Sequence, residues 1–438
     1  MKKLFIIILL FPFLTLAQSV TIDPSSSTSG ILEVKSNSKG VIPARMSSAE
    51  RRDIPNPAEG MIVYDTTQKA MYVYSGNQYK KLIAEEESIV IDGIKDGPIA
   101  SNNQYVIIGD PTFNYNTGRS TLLKLNSSNE WVIEAYLQAT DAAAGARFGS
   151  AVDIAGNRIA VGASSAGGKG AVYIFEILNG TWVQRSKLTA SNGVAGDYFG
   201  SSLDLENSGV AIGAPGVVSA PLNITGRVYY FSRTTIQGNS IWFQSIIEAP
   251  NPNIDKNFGA KVVMKDVNLY IGAPESYAGR GITYLFERVN GIFTGTHLFY
   301  DSDNNPNGKI GRALAISDSL VVIGLSNVNY NEVEGYTFVY SKSGNTTIIL
   351  NPEIQGGFFP KALSAYRSNI LALHGKNIYQ NDLFLVSNEE QKNTYIRKIN
   401  ANTFGHYSVT ENFTINNKFI FYFLSDLISS EKLFYTKY

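Results

Sequence analysis

The sequence predicts an all-β fold assembled from seven copies of one four-stranded antiparallel unit. Three observations predict it. First, an apolar strand pair recurs seven times at steps of about fifty residues, the signature of stacked supersecondary units. Second, the clearest copies open on Phe-Gly and close on Gly-Ala-Pro or a near variant. Phe148-Gly149 leads to Val161-Gly162-Ala163, Phe199-Gly200 to Gly213-Ala214-Pro215, and Phe258-Gly259 to Gly272-Ala273-Pro274. Third, charged residues make up only 17% of the chain, while Gly, Tyr and Phe number 39, 25 and 23, a balance that favours strands and tight turns over helices.

The chain opens as an export signal. Lys2-Lys3 is a short basic region, Leu4 to Leu16 is an apolar run broken by Pro12 and Thr15, and Thr15-Leu16-Ala17 is a small-residue cleavage site. Residues 1–17 are expected to be removed, so that the mature chain starts at Gln18. The run is short for a bilayer span, so no transmembrane segment is expected after cleavage. The expected location is secreted or cell-surface, with the periplasm as the other exported compartment.

The chain has no cysteine, which excludes a disulfide scaffold, a thiolate metal site and a Cys nucleophile. Stability must come from the core. Charge is balanced at 37 basic and 37 acidic residues, without a basic stripe, so no nucleic-acid partner is expected.

Residues 18–30 are rich in Ser and Thr and read as a flexible leader. Residues 31–82 form a small β module. In it Met61 to Tyr64 and Ala70 to Tyr74 alternate as two strands around the polar turn Asp65 to Lys69, and Ser47 to Asp53 carries the chain's best helix signal. Gly40, Arg45-Met46, Gly60, Val63-Tyr64 and Tyr74-Ser75-Gly76 follow the pattern of an N-terminal module of secreted Bacteroidetes proteins, which this segment resembles. Ala44 interrupts that pattern's Pro-Arg pair and Tyr79 replaces its Trp. The resemblance implies a surface setting and no chemistry.

Residues 83–438 hold the repeats. In the cleanest, Phe148 to Ile154, Arg158 to Ala163, Ala171 to Ile177 and Trp182 to Leu188 read as four strands, with hairpin turns at Gly156-Asn157 and Asn179-Gly180. This is the content of one propeller blade. The second strands of the other copies are Tyr105–Ile108, Gly209–Ile212, Asn268–Ile271, Leu320–Ile323, Ile370–Leu373 and Phe419–Tyr422. The seventh copy has room for three strands only. Either Ser88–Ile91 or Tyr79–Ile83 must supply the fourth, because closing a ring with the opposite terminus hides the last sheet edge. The prediction is a seven-bladed β-propeller of four-stranded antiparallel blades, preceded by a small β module.

The run Lys187-Leu188-Thr189-Ala190-Ser191-Asn192-Gly193, Gly196-Asp197-Tyr198-Phe199-Gly200 and Gly213-Ala214-Pro215 closely resembles the bacterial FG-GAP repeat family. That family forms seven-bladed propellers related to the head of integrin α-chains. The resemblance covers about residues 94–438 and is strongest from 131 to 290. It speaks to fold more than to function, because propellers host many activities. The expected structural residues are Phe148, Gly149, Phe199, Gly200, Gly213, Phe258, Gly259 and Gly272. Each Phe brings a large apolar group to a blade boundary, and each Gly allows close backbone approach.

Many repeats of the family carry an acidic calcium loop in the first hairpin. The matching hairpins here, at Gly156-Asn157, Asn207-Ser208 and Asp266-Val267, are too short and too poor in acids, so that property does not carry over. A weak candidate is Asp301, Asp303 and Asn305, with oxygens at alternate positions. Pro306 stands where such a loop needs Gly, and Arg312 where it needs Glu. No cofactor motif occurs. His297, His374 and His406 lack metal-ligand spacing, and neither a nucleophile elbow nor a phosphate-binding glycine loop is visible.

The loops between second and third strands share a face with the blade-to-blade connections. They offer Phe113, Tyr115, Arg119, Tyr277, Arg280 and Tyr330 as candidate ligand-binding residues, since rigid aromatics with Arg suit protein or glycan recognition. The expectation is a non-enzymatic propeller binding a protein or glycan on a surface. The rivals are a propeller hydrolase or lyase with its site at the channel mouth and a mainly structural surface protein. Inward-facing acids would favour the enzyme; an exposed aromatic patch on the loop face would favour the binder.

Overall fold

A computed structural model describes residues 42–316, apart from breaks at 68–69, 77, 83–88, 92–93, 129, 217, 220–222 and 300–307. Outside that span it describes the strands at 20–22, 32–34, 320–325, 336–341, 347–350, 360–366, 369–377, 380–389, 393–399, 408–415, 419–425 and 432–437. The chain forms two compact units, Met1–Glu86 and Glu87–Tyr438. The expected boundary falls at 82/83.

In the second unit the described strands form seven four-stranded antiparallel sheets. These are the propeller's blades. Blade 1 runs Ile99–Ser101, Tyr105–Asp110, Arg119–Leu125 and Trp131–Leu137, from the inner strand outward. Blade 2 runs Phe148–Ala155, Arg158–Ala163, Ala171–Leu178 and Thr181–Leu188. Blade 3 is Ser202–Glu206, Gly209–Ala214, Arg227–Ile236 and Asn239–Glu248; blade 4 is Lys261–Lys265, Asn268–Ala273, Ile282–Val289 and Ile292–Phe299. Blades 5 and 6 begin at Leu314 and Pro360. All seven second strands expected from the sequence lie inside observed second strands.

The outer hairpins turn on polar-Gly dipeptides with both φ angles positive: Asn179-Gly180, Gln237-Gly238 and Asn290-Gly291. That is the turn whose twist matches the strands it joins. The second strands of blades 1, 2 and 3 are buried at all six positions. Alternate residues serve opposite neighbours. Ile159 and Val161 join a cluster with Ile107 and Leu122 of blade 1, while Ala160 joins Leu203, Leu205 and Tyr229 of blade 3. A strand buried on both faces reads as continuously apolar.

The last blade is completed from the other end of the unit. Ser408–Ile415, Phe419–Ser425 and Lys432–Lys437 pair in order, and Ile89–Ile91 adds as the outer strand, Val90 opposite Phe434. Of the two sequence candidates, the closure strand is therefore the one within Ser88–Ile91. The other, Tyr79–Ile83, overlaps Gln78–Leu82, which belongs to the first unit's sheet. Ile91 packs against blade 1, beside Ile94, Val106 and Leu123. The inner strands touch in sequence around the axis, and that of blade 7 touches that of blade 1, so the ring is closed.

The first unit holds one mixed four-stranded sheet. Ala44–Met46 runs parallel to Ile62–Asp65, which continues antiparallel to Ala70–Ser75 and Gln78–Leu82. A short helix, Ser48–Arg52, links the parallel pair behind a capping box of Ser47 and Glu50. Beneath it Asp65, fully buried, accepts from Arg51 Nε at 2.8 Å and Ser48 Oγ at 2.8 Å, and the guanidinium lies 3.9 Å over the Tyr72 ring. The leader is corrected in part: Val20–Ile22 pairs with Leu32–Val34, because its β-branched triplet finds an apolar partner strand past the Ser/Thr run.

Candidate functional site

The Phe-Gly and Gly-Ala-Pro motifs meet across blade boundaries. Phe148, Phe199, Phe258 and Ile310 are buried, and each bridges to the Gly that precedes the third strand of the previous blade: Gly118, Gly170, Gly226 and Gly281. Phe199 lies edge-on to Tyr229 at 5.3 Å, and Phe258 to Tyr284 at 5.7 Å. These contacts fix the loops on one face of the ring.

On that face each second-to-third loop lies against the connection into the next blade. Gly145 and Arg147 donate to the carbonyls of Tyr115 and Asn116 at 3.1 and 2.8 Å, and Gly196 and Phe199 to those of Gly168 and Lys169 at 3.0 Å. Phe258 donates to Thr225 at 2.8 Å, and Lys309 to Gly279 at 3.1 Å. The loops and connections thus share one face, as the strand order requires.

Among the sequence candidates, Tyr115 stands 87% exposed and Tyr277 42% exposed. Both hold left-handed backbone, at φ 56° and 51°. Phe113 and Arg119 are half-buried and face each other: the guanidinium sits 4.1 Å over the Phe113 ring and 4.7 Å from Tyr136. Arg119 thus props the loop from below. Arg280 is half-buried, and its carbonyl accepts from Ile310 N–H at 3.0 Å. Tyr330 and the candidate ligands Asp301, Asp303 and Asn305 lie outside the described residues. Among the described residues no group of His, Cys, Asp or Glu is arranged to hold a metal ion.

One residue escaped sequence reasoning. Tyr198, read only as part of the motif, is 51% exposed at φ 56°. Its position, just before the boundary Phe or Ile, is left-handed in four blades: Arg147, Tyr198, Asn257 and Lys309 have φ of 59°, 56°, 57° and 48°. The fixed offset from Phe-Gly was visible in the sequence; the left-handed backbone was not. A non-glycine residue in this region costs roughly 1–2 kcal/mol, least for Asn. Three exposed tyrosines carry that cost at three blade boundaries.

The opposite end of the channel holds inward-facing acids. A cavity of about 750 Å³ is lined by Asp153, Asp204, Glu206, Lys265, Asp266 and Arg288, with neighbours from blades 2 to 5. Asp153 accepts from Ile154 N–H at 2.8 Å and reaches blade 3 to accept from Leu205 N–H at 2.6 Å. Asp204 repeats the reach to Met264 N–H of blade 4, and Glu206 accepts from Asp266 N–H at 3.1 Å. Carboxylates of one inner strand thereby cap amides of the next. Burial pushes the Asp153 and Asp204 carboxyls upward, Asp204 well above its usual range with the Asp153 charge adding to the effect. Burial lowers Lys261, against the pull of both acids. Asp153 and Asp204 are half-buried residues that border the channel, and protein surrounds their carboxyls closely enough for desolvation to dominate.

One match to a known family fits the repeats. Residues 131–175 and 182–231 match the FG-GAP repeat, and residues 10–95 match a phage tail like trimerisation region. The chain carries FG-GAP repeats and folds as a propeller. No curated protein matches it. Among solved structures it is similar to a Pyrococcus horikoshii acylaminoacyl peptidase, with TM-score 0.49 and 8% identity over 79% of this chain and 50% of that one. It is also similar to a Bacteroides uniformis protein assigned as a 6-phosphogluconolactonase, with TM-score 0.47 and 10% identity over 78% of this chain and 92% of that one. The chain spans half the length of the peptidase. Neither likeness bears on activity.

Proposed function

We propose that this protein is a non-enzymatic, exported propeller that binds a surface macromolecule, protein or glycan, through its loop face. The observation that carries the reading is the set Tyr115, Tyr198 and Tyr277: exposed rings at three blade boundaries, each on left-handed backbone that any L-residue but Asn or Gly adopts at a cost. Exposed tyrosines offer large rigid contact area with little rotamer freedom to lose. The rival, a hydrolase or lyase at the channel mouth, draws on Asp153 and Asp204. Against it stands their bonding: Asp153 has both oxygens on backbone amides, one in the next blade, which is work for a staple.

The match of residues 10–95 to a trimerisation region supports a further element of the proposal. The N-terminal module joins three copies, so that weak propeller contacts act together. Linked sites on short flexible tethers see effective concentrations of about millimolar, enough to turn weak single contacts into stable adhesion.

The test is a screen of glycans and surface proteins with the mature chain, followed by Tyr115→Asn, Tyr198→Asn and Tyr277→Asn. The proposal expects binding to weaken in each variant while Asp153→Asn leaves it unchanged. A hit that survives all three would overturn the site. Turnover of a substrate that is lost in Asp153→Asn would establish the rival. Light scattering on the mature chain should give three times the monomer mass.

A further inference from the structure

We infer that the loop face is built for an anionic polysaccharide laid across the boundaries of blades 1 to 4. The inference rests on the loop-face reading above and narrows its ligand. It starts from where the charges of these loops go. Among the described residues, five acids of these loops are turned inward or neutralised. Asp197 is 2% exposed and accepts from Val194 N–H at 2.7 Å; Asp255 is fully buried and accepts from Asn251 N–H and the Tyr284 hydroxyl at 2.8 and 2.7 Å. Asp110 is buried and accepts from the Thr112 hydroxyl at 2.9 Å. Asp141 is paired with Lys187, and Glu275 with Lys309. The bases point out. Arg147 and Lys256 are exposed and Lys169 half-exposed, and none of the three has an ion pair among the described residues. In the described part of this face, Arg147, Lys169 and Lys256 therefore present positive charge without an ion pair, which complements an anion.

The bases alternate with the rings. At the boundary of blades 1 and 2, Tyr115 comes from the third-strand loop and Arg147 from the connection, and the two segments are hydrogen-bonded. At the next boundary the roles are exchanged: Lys169 comes from the loop and Tyr198 from the connection, bonded through Lys169 O and Phe199 N–H. Blade 4 brings Tyr277 beside the Lys309 connection. The first two of these boundaries each offer one planar apolar surface and one cation without an ion pair among the described residues, whereas at the third Lys309 is engaged by Glu275. A sugar ring has an apolar face that lies on an aromatic side chain, and a carboxylate or sulfate on the same or the next residue meets the cation. A repeat of that kind, spread over several blades without a deep pocket, suits a polymer with regularly spaced charge.

The experiment measures binding of the full mature chain to polygalacturonate and dextran sulfate, with neutral dextran and poly-glutamate as comparisons, at several salt concentrations. Expected is binding to one or both anionic polysaccharides that falls as salt rises, with little binding to dextran or poly-glutamate. Tyr115→Asn and Tyr198→Asn should each weaken it about tenfold, and Arg147→Gln with Lys169→Gln should both weaken it and flatten the salt dependence. Asn tolerates left-handed backbone, so these tyrosine variants should fold, and melting curves verify that. Equal binding of poly-glutamate, unaffected by the tyrosine variants, would overturn the inference in favour of an acidic protein partner. Binding of only a neutral glycan or an uncharged protein surface, lost in Tyr115→Asn, would overturn the inference and leave the loop-face reading standing. Polysaccharide binding that survives every variant would sink both.

Discussion

A Cβ on Gly213 would stand 2.0 Å from the carbonyl oxygen of Gly259 in the next blade. The same approach recurs between Gly162 and Gly200 at 2.0 Å and between Gly272 and Gly311 at 1.9 Å. The second-strand glycine of one blade receives the Phe-Gly glycine of the next, so the two halves of the repeat motif are the two sides of one joint. Gly213→Ala should destabilise the ring by about 1–3 kcal/mol or more, since backbone on the far side cannot move without shifting a blade. A denaturant midpoint equal to wild type would contradict the joint.

Closure gives a second prediction. Val90 faces Phe434 across the outermost pairing of blade 7. Val90→Pro removes a backbone donor and fixes φ in a three-residue strand. Unfolding should stay a single transition at a lower midpoint, because the exposed edge and the lost packing on blade 1 weaken the whole ring. An unchanged midpoint would mean that the strand is ornamental.

The channel acids predict a pH dependence. The folded Asp204 carboxyl is raised above its unfolded value near 4. Between those two values the folded protein holds a proton that the unfolded chain has released. The stabilisation is fully present below about pH 4 and is lost as pH rises through the folded value. Asp153 acts with the same sign. Lys261, lowered from its ordinary value, acts with the opposite sign at the alkaline end. Asp204→Asn keeps an oxygen for Met264 N–H and leaves Asp153 and Lys261 balanced. It should flatten the decline in melting temperature above pH 4 and raise it at pH 7. An unaltered slope would show that the carboxyl titrates normally.

How far the sequence was legible follows from what each feature depends on. The blades were legible because Phe-Gly, Gly-Ala-Pro and the polar-Gly turns are local, and their period survives even where Phe becomes Ile310. The closure strand was narrowed to two candidates, since Tyr79–Ile83 and Ser88–Ile91 are both short segments ahead of the first blade, and only the tertiary pairing separates them. The parallel pairing of Ala44–Met46 with Ile62–Asp65 was not legible, because a three-residue strand carries no period and its partner lies across an intervening helix. Arg119 was read as a ligand contact on its position in a loop, and only the side-chain geometry shows it stacked on Phe113 and Tyr136. Tyr198 was overlooked because a left-handed backbone leaves no trace when the residue is not Gly or Asn.

Calcium gives a fourth prediction. The first hairpins lack acidic loops, so a chelator should leave the melting temperature unchanged. A site saturated a hundredfold over its dissociation constant would add about 2.7 kcal/mol, a shift easily seen. Such a shift would point first to Asp301, Asp303 and Asn305.

The tyrosines predict a trade of stability against binding. Tyr115→Asn and Tyr198→Asn relieve left-handed backbone and remove an exposed ring, so each should raise the melting temperature slightly while weakening ligand binding. Lower stability in both would mean that the rings are there to pack.

The central claim is that a partner engages the loop face. Hydrogen exchange on the mature chain, with and without a ligand from the screen, tests it most directly. Protection should appear in residues 113–118, 143–147, 165–170, 194–198 and 275–280, with the hairpins at 155–158 and 206–209 unchanged. Protection confined to those hairpins and the inner strands around Asp153 and Asp204 would contradict it and move the site to the channel.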